Sequence, residues 1–218
     1  MIKDNLNDVL ASLKDGVQLV AVSKYHPIEA VEEAYAAGQR IFGESREQEL
    51  RIKYDTLPKD IQWHFIGHLQ TNKVKYIAPY ISMIETVDSL RLLREIEKQG
   101  EKCDRVINIL LELHLAQEET KSGMTTEECR ELLKSGEWKD MKHVNICGIM
   151  MMASNTDDET EIRREFNAAQ DFFNEIKTAY FTDKKDFTIK SYGMSGDYLI
   201  AQECGSNHVR VGSKIFSF

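Results

Sequence analysis

The sequence predicts a single parallel barrel of the (β/α)8 class with an extra N-terminal helix. Three observations predict it. Eight short apolar runs recur along the chain, and each is followed by a stretch of helical periodicity. The runs are continuous rather than alternating, as strands are when helices cover the sheet. Eight such units in 218 residues lie near the lower end of the roughly 200–400 residues typical of closed barrels. An open doubly wound sheet is the main competitor. The chain has only three prolines, no internal repeat, no low-complexity tract and no Pro/Gly/Ser linker. One domain over residues 1–218 is the simplest organisation.

The elements follow in order. Ile2, Leu6, Val9, Leu10 and Leu13 recur at helical steps, with Gly16 as terminator. Residues 17–22 read as the first strand, ending at Ser23 and Lys24. Pro27 opens a helix with Ile28, Val31 and Tyr35 on one face, and Gly38 stops it. Residues 40–43 are a second strand, followed by a charged helix over 46–54. Residues 63–66 are a third, with a short helix after Gln70. Residues 81–87 are a fourth. Asp88 is a suitable N-cap for the next helix, and Gly100 closes it. Residues 106–115 are a fifth strand. Thr125 and Glu128 have capping-box spacing, opening a helix that ends near Gly136. Residues 144–152 are a sixth strand. Ile162, Phe166, Ala169, Phe173, Ile176 and Tyr180 mark the clearest helix. Residues 187–192, a helix over 197–204, and residues 209–212 complete the set.

Composition narrows the function. The net charge is −8, so nucleic acid is not an expected partner, and any phosphate site must be local. No apolar run approaches the roughly 18 residues of a membrane span, and the acid-bearing N-terminus is no signal peptide. Cys103, Cys129, Cys147 and Cys204 are scattered, without a C-x-x-C pair. That argues against disulfides and zinc and for a reducing cytoplasm.

Barrel enzymes place their chemistry at the carboxyl ends of the strands. Two strand ends have the makings of a phosphate grip: Ser195-Gly196-Asp197 after strand seven, and Gly212-Ser213 after strand eight. Glycine admits a phosphate to the backbone, and helix-start amides and a hydroxyl supply donors. Gly and Ser are ordinary turn residues too. Arg210 either assists there or holds its head in solvent. Lys24 directly follows an apolar strand, where partial desolvation would make its amine available to a carbonyl; an exposed strand-end lysine is the plainer reading. His64 and His68 do not make a metal motif. Met150, Met151 and Met152 are core by habit, residues 117–121 read as an exposed loop, and no paired carboxylates stand out among so many acids.

Taken in order, Ala21-Val-Ser-Lys24, Phe42-Gly-Glu44, Trp63-His-Phe-Ile-Gly67, Leu69-Gln-Thr-Asn-Lys73, Lys121-Ser-Gly123, Gly148-Ile-Met150, Gly193-Met-Ser195 and Val209-Arg-Val-Gly212 resemble the pyridoxal phosphate homeostasis protein family, over nearly the whole chain. Ser45 departs from the family's usual Asn, and His68 stands where Pro is common. The resemblance implies an alanine-racemase-like barrel holding pyridoxal 5′-phosphate as a Schiff base on Lys24. It implies phosphate contacts from Ser195, Gly196, Gly212 and Ser213, with Arg210 near the phosphate or the ring nitrogen. It implies a cytoplasmic protein of vitamin B6 homeostasis, with apo-enzymes as possible recipients of the cofactor and no established reaction. The barrel consumes the chain and leaves no lid domain, which fits a carrier; a barrel that closes its own edges fits a monomer. Two alternatives are an amino-acid racemase using Lys24 as base, and a barrel enzyme acting on a phosphorylated metabolite without pyridoxal.

Overall fold

The computed structural model describes residues 1–115 and 122–217. The loop expected over residues 117–121, and with it Lys121 of the family pattern, lies outside them. Eight strands close into a parallel barrel, each paired with its neighbours in sequence and the last paired with the first. They are β1 (Gln18–Val22), β2 (Ile41–Glu44), β3 (Gln62–Phe65), β4 (Met83–Val87), β5 (Ile107–Leu113), β6 (Val144–Met151), β7 (Ile189–Ser191) and β8 (His208–Val211). The helices are α1 (Ile2–Ala11), α2 (Ile28–Ala36), α3 (Glu47–Thr56), α4 (Val74–Ile77), α5 (Leu90–Cys103), α6 (Thr126–Ser135), α7 (Glu159–Tyr180), α8 (Tyr198–Glu203) and α9 (Ser213–Phe216).

The period-two alternation of each strand splits the barrel into two surfaces. Leu19, Ala21, Phe42, Trp63, Phe65, Ile84, Ile109, Leu111, Val209 and Val211 belong to the large core shared with the helices. Met83, Leu110, Cys147 and Met150 form a separate small cluster. This second cluster is part of the apolar filling of the barrel interior. Polar residues share that interior: His64, Glu85, Glu112, Ser191 and Arg210 are all buried. Barrel interiors are usually filled by branched apolar side chains, so these polar residues mark a site rather than a filler.

Several expected boundaries move. α5 is capped by Ser89, not Asp88: the Ser89 hydroxyl accepts from the Leu92 amide at 3.1 Å. Gly100 does not stop α5. It lies inside it, and Asp104 in left-handed conformation (φ 50°) makes the C-cap. A Cβ on Gly100 would sit 2.8 Å from His143 Cβ and 3.0 Å from the Arg105 carbonyl, so the glycine serves a close approach. α1 ends at Ala11, where Ser12 turns its hydroxyl back to the Val9 carbonyl (2.6 Å); Gly16 comes later, in the turn into β1. The capping box on α6 forms as expected, and Gly136 (φ 71°) ends it. β7 is shorter than expected, with Ser191↔His208 as its register pair to β8. Gly193 (φ 104°) turns the chain away there. A short helix, α9, follows β8 directly. It buries Ile215 and Phe216 and touches α1, where the Asn5 amide donates to the Ile215 carbonyl at 3.2 Å.

All four cysteines are free thiols. Among the described residues no helix is long and apolar enough to cross a membrane. Among them, too, no group of three or more His, Cys, Asp or Glu is placed to hold a metal.

Candidate functional site

Lys24 lies half-buried in the turn after β1. It stands two residues beyond Val22, the last residue of β1. Its ammonium is 5.7 Å from the centroid of the Tyr25 ring. The register of β1 against β8 runs from Gln18↔His208 to Ala21↔Val211, so the turn after β8 begins beside the one carrying Lys24. The approach is close: a Cβ on Gly212 would sit 3.0 Å from the Val22 carbonyl oxygen.

The two expected phosphate turns meet. Ser195 Oγ accepts from the Gly212 amide at 3.1 Å, tying the turn after β7 to the turn after β8. Gly196 is exposed, and no atom lies within 4 Å of where its Cβ would be. Its backbone therefore faces open space. A cavity of about 340 Å³ opens beside it, lined by Met152, Ser154, Thr156, Met194 and Asp197 among others. Ser213 is the first residue of α9, and the opening amides of any helix have no partner within it. The structure thus brings Lys24, Ser195, Gly196, Gly212 and Ser213 to one side of the barrel mouth.

Arg210 goes elsewhere. It is only 3% exposed, which corrects the reading of a solvent-facing head. Its guanidinium donates to the Ser191 carbonyl (2.8 Å), the Ser191 hydroxyl (2.6 Å) and the Met151 carbonyl (2.9 Å). These anchors lie on β6 and β7 inside the barrel, not in the turns at Ser195 and Gly212. Glu85 balances the charge, with Oε2 3.8 Å from Arg210 Nη1. The same oxygen accepts from the Ser191 hydroxyl at 2.6 Å, and Oε1 faces His64 Nδ1 at 2.7 Å. Burial alone would push the Glu85 carboxyl up. The His64 hydrogen bond and charge, Arg210 and Ser191 outweigh it and hold the carboxyl down at about 2. Glu85 is then a pure acceptor, so Nδ1 of His64 is the donor in that contact. Burial lowers Arg210 from its usual value, against the opposing pull of Glu85.

Across the mouth stands Glu112, 1% exposed at the end of β5. Burial pushes its carboxyl up to about 7, against a hydrogen bond from Ser122. Ser122 Oγ donates to Oε1 at 2.8 Å, and Oε2 has no partner among the described residues. His114 Nδ1, two residues on, is likewise buried without a partner. An unpaired buried polar atom is costly unless something else satisfies it. The mouth therefore offers an amine, two joined glycine turns, a buried cation and unsatisfied polar atoms.

Sequence reasoning missed Glu85, Glu112, Ser191 and the role of His64. One signal could have found the acids. Each is a lone carboxylate in an otherwise apolar strand, at the parity of interior positions.

The chain matches the family model described as alanine racemase, N-terminal domain, over residues 1–217. A pyridoxal phosphate homeostasis protein of Schizosaccharomyces pombe is 38% identical, covering 92% of this chain and 83% of that one. One of Helicobacter pylori is 37% identical, covering 92% and 87%. The structure of PipY from Synechococcus elongatus PCC7942 with PLP bound superposes with a TM-score of 0.90 at 32% identity, covering all of both chains. An alanine racemase from Clostridium difficile shares the fold at a TM-score of 0.80 and 16% identity, and the match spans 59% of its length.

Proposed function

This chain belongs to the alanine racemase N-terminal domain family, within its group of pyridoxal phosphate homeostasis proteins, and we propose that it binds pyridoxal 5′-phosphate through Lys24 and takes part in the cell's balance of that cofactor. One observation carries the reading: the 3.1 Å bond from the Gly212 amide to Ser195 Oγ, which joins two glycine turns beside the strand that leads to Lys24.

The residues present fit the group. A phosphate needs donors and room at the backbone. Ser195 and Ser213 offer hydroxyls, and Gly196 faces open space. The aldehyde of the bound cofactor supplies a carbon that condenses reversibly with amines. The chain's own residues do the rest. Lys24 offers the amine at the mouth. Ser195, Gly196, Gly212 and Ser213 hold the phosphate and fix orientation. Arg210, pinned by Ser191, Met151 and Glu85, presents a fixed positive charge from the barrel wall; its anchors favour a place near the ring over one near the phosphate. Glu112 takes up or gives back a proton near neutral pH. A carrier role, with release to apo-enzymes as the use of the bound cofactor, is part of the same proposal, and a barrel that closes its own sheet edges fits a monomer as the working unit.

Borohydride reduction in the presence of the cofactor, followed by peptide mass mapping, tests this. The expected result is a pyridoxyl adduct on Lys24, absent in Lys24→Ala. An adduct elsewhere, or none, overturns it. Exchange of the α-proton of added amino acids, assayed in parallel, distinguishes the carrier from a racemase: rapid exchange would favour the latter.

A further inference from the structure

The turn that carries Lys24 has an uncommon third residue. The His26 amide donates to the Ser23 carbonyl at 3.1 Å, closing a four-residue turn over Lys24 and Tyr25. Tyr25 has φ 67°. A turn with positive φ at its third position ordinarily uses Gly or Asn, and a bulky aromatic there is an outlier. Such a conformation persists only where surrounding groups impose it.

Those groups are visible. The Tyr25 amide donates to Glu49 Oε1 at 2.8 Å. The Ser23 carbonyl accepts from Lys53 Nζ at 2.8 Å. Lys53 Nζ also binds Glu44 at 2.6 Å and Glu49 at 2.8 Å, and the Ser23 hydroxyl donates to Glu44 at 2.6 Å. Lys53, Glu44 and Ser23 are buried, and Glu49 is half-buried. The backbone is thus gripped on both sides of Lys24 by one ion cluster from β2 and α3. The Tyr25 side chain, 65% exposed, is not needed to fill a core.

Building on the reading of Lys24 as the attachment point, we propose that Glu49 and Lys53 are positioning residues. They impose the left-handed turn at Tyr25 and so aim the Lys24 amine into the barrel mouth. Neither touches the cofactor. Lys53 anchors the first carbonyl of the turn, Glu49 anchors the amide of its third residue, and their mutual ion pair keeps the two anchors in register.

The test uses reductive labelling of the full chain at graded cofactor concentration, with the adduct on Lys24 quantified by mass. Glu49→Ala removes the acceptor and should raise the half-saturating concentration about ten-fold, the factor that follows from the usual cost of a left-handed residue. Glu49→Gln keeps an acceptor for the Tyr25 amide but loses the ion pair, and should lose less than Glu49→Ala. Adding Tyr25→Gly to Glu49→Ala should restore labelling, since glycine takes positive φ freely. Adding Tyr25→Ala should not, which separates backbone conformation from loss of the ring. If Glu49→Ala does not fold, single variants at the exposed Tyr25 decide: Tyr25→Val should weaken labelling, since a β-branched residue tolerates positive φ least, and Tyr25→Gly should leave it unchanged. Equal labelling in Glu49→Ala and the parent, equal rescue by Ala and Gly, or equal labelling of Tyr25→Val and Tyr25→Gly overturns the proposal. Labelling of the parent away from Lys24 would instead overturn the function it rests on.

Discussion

Glu85 of β4 and Arg210 of β8 lie 3.8 Å apart inside the barrel, both hidden from water. Opposite charges in such a place depend on one another, because removing one leaves the other unpaired in a poorly solvated interior. Glu85→Leu should lower unfolding stability by about 3–5 kcal/mol, read by urea titration. The double variant Glu85→Leu/Arg210→Met should recover part of that loss. Strictly additive losses would mean that the pair does not couple.

Gly196 and Gly212 should respond differently to a methyl group. Gly196→Ala meets no atom within 4 Å, so stability should hold while the methyl intrudes on the space proposed for phosphate. Affinity for pyridoxal 5′-phosphate should fall by roughly ten-fold, about 1.4 kcal/mol, with that for unphosphorylated pyridoxal unchanged. Gly212→Ala meets the Val22 carbonyl at 3.0 Å and should lower the melting temperature as well. Calorimetric titration with the two ligands checks both. An equal loss for both ligands in Gly196→Ala would remove Gly196 from the phosphate site.

Glu112 makes stability depend on pH in an unusual direction. Its carboxyl is pushed up from 4.5 to about 7, so between those values the folded chain binds more protons than the unfolded one. Its contribution is therefore fully present below about 4.5 and is lost as pH rises through about 7. Glu112→Gln should be more stable than the parent at pH 8, by up to about 3 kcal/mol, and the difference should vanish near pH 4.5. His208 acts on the acid side. Burial lowers it from 6.5 to about 4, so stability falls as pH drops through that window. Melting temperatures from pH 4 to 9 read both. A constant gap between Glu112→Gln and the parent would show that Glu112 titrates normally.

Gly100→Ala should destabilise, although alanine is the better helix former. The new Cβ would lie 2.8 Å from His143 Cβ and 3.0 Å from the Arg105 carbonyl oxygen, and overpacking of this kind costs about 1–3 kcal/mol. A raised melting temperature would mean that β6 and α5 separate readily.

The barrel was legible because its signal is local and repeated: apolar runs, helical periodicity, and caps such as Thr125 with Glu128. The boundaries that moved did so for reasons outside their own segment. Gly100 resembles a helix stop until His143 is seen against it. Asp88 and Ser89 are both good caps in sequence, and only the chain's path selects Ser89. Lys24, Ser195, Gly196, Gly212 and Ser213 could be named from strand ends and a family pattern. The charge network could not, since Glu85 of β4 lies 106 residues before Ser191 of β7 and further still from Arg210 of β8. Their partnership exists only once the ring has closed.

The pairing of β1 with β8, beside the contact of α1 with α9, joins the two ends of the chain. A ligand touching both Lys24 and Ser213 bridges that seam. Loop-closure entropy makes such a long-range junction slow to form in folding, and partial openings that release it separate the two halves of the grip. Occupancy acts on these openings by mass action. Slowed amide hydrogen exchange on ligand addition should therefore appear along residues 18–22 and 208–211, well beyond the atoms the ligand meets, making the hold on a bound ligand and the lifetime of the closed ring two readings of one equilibrium.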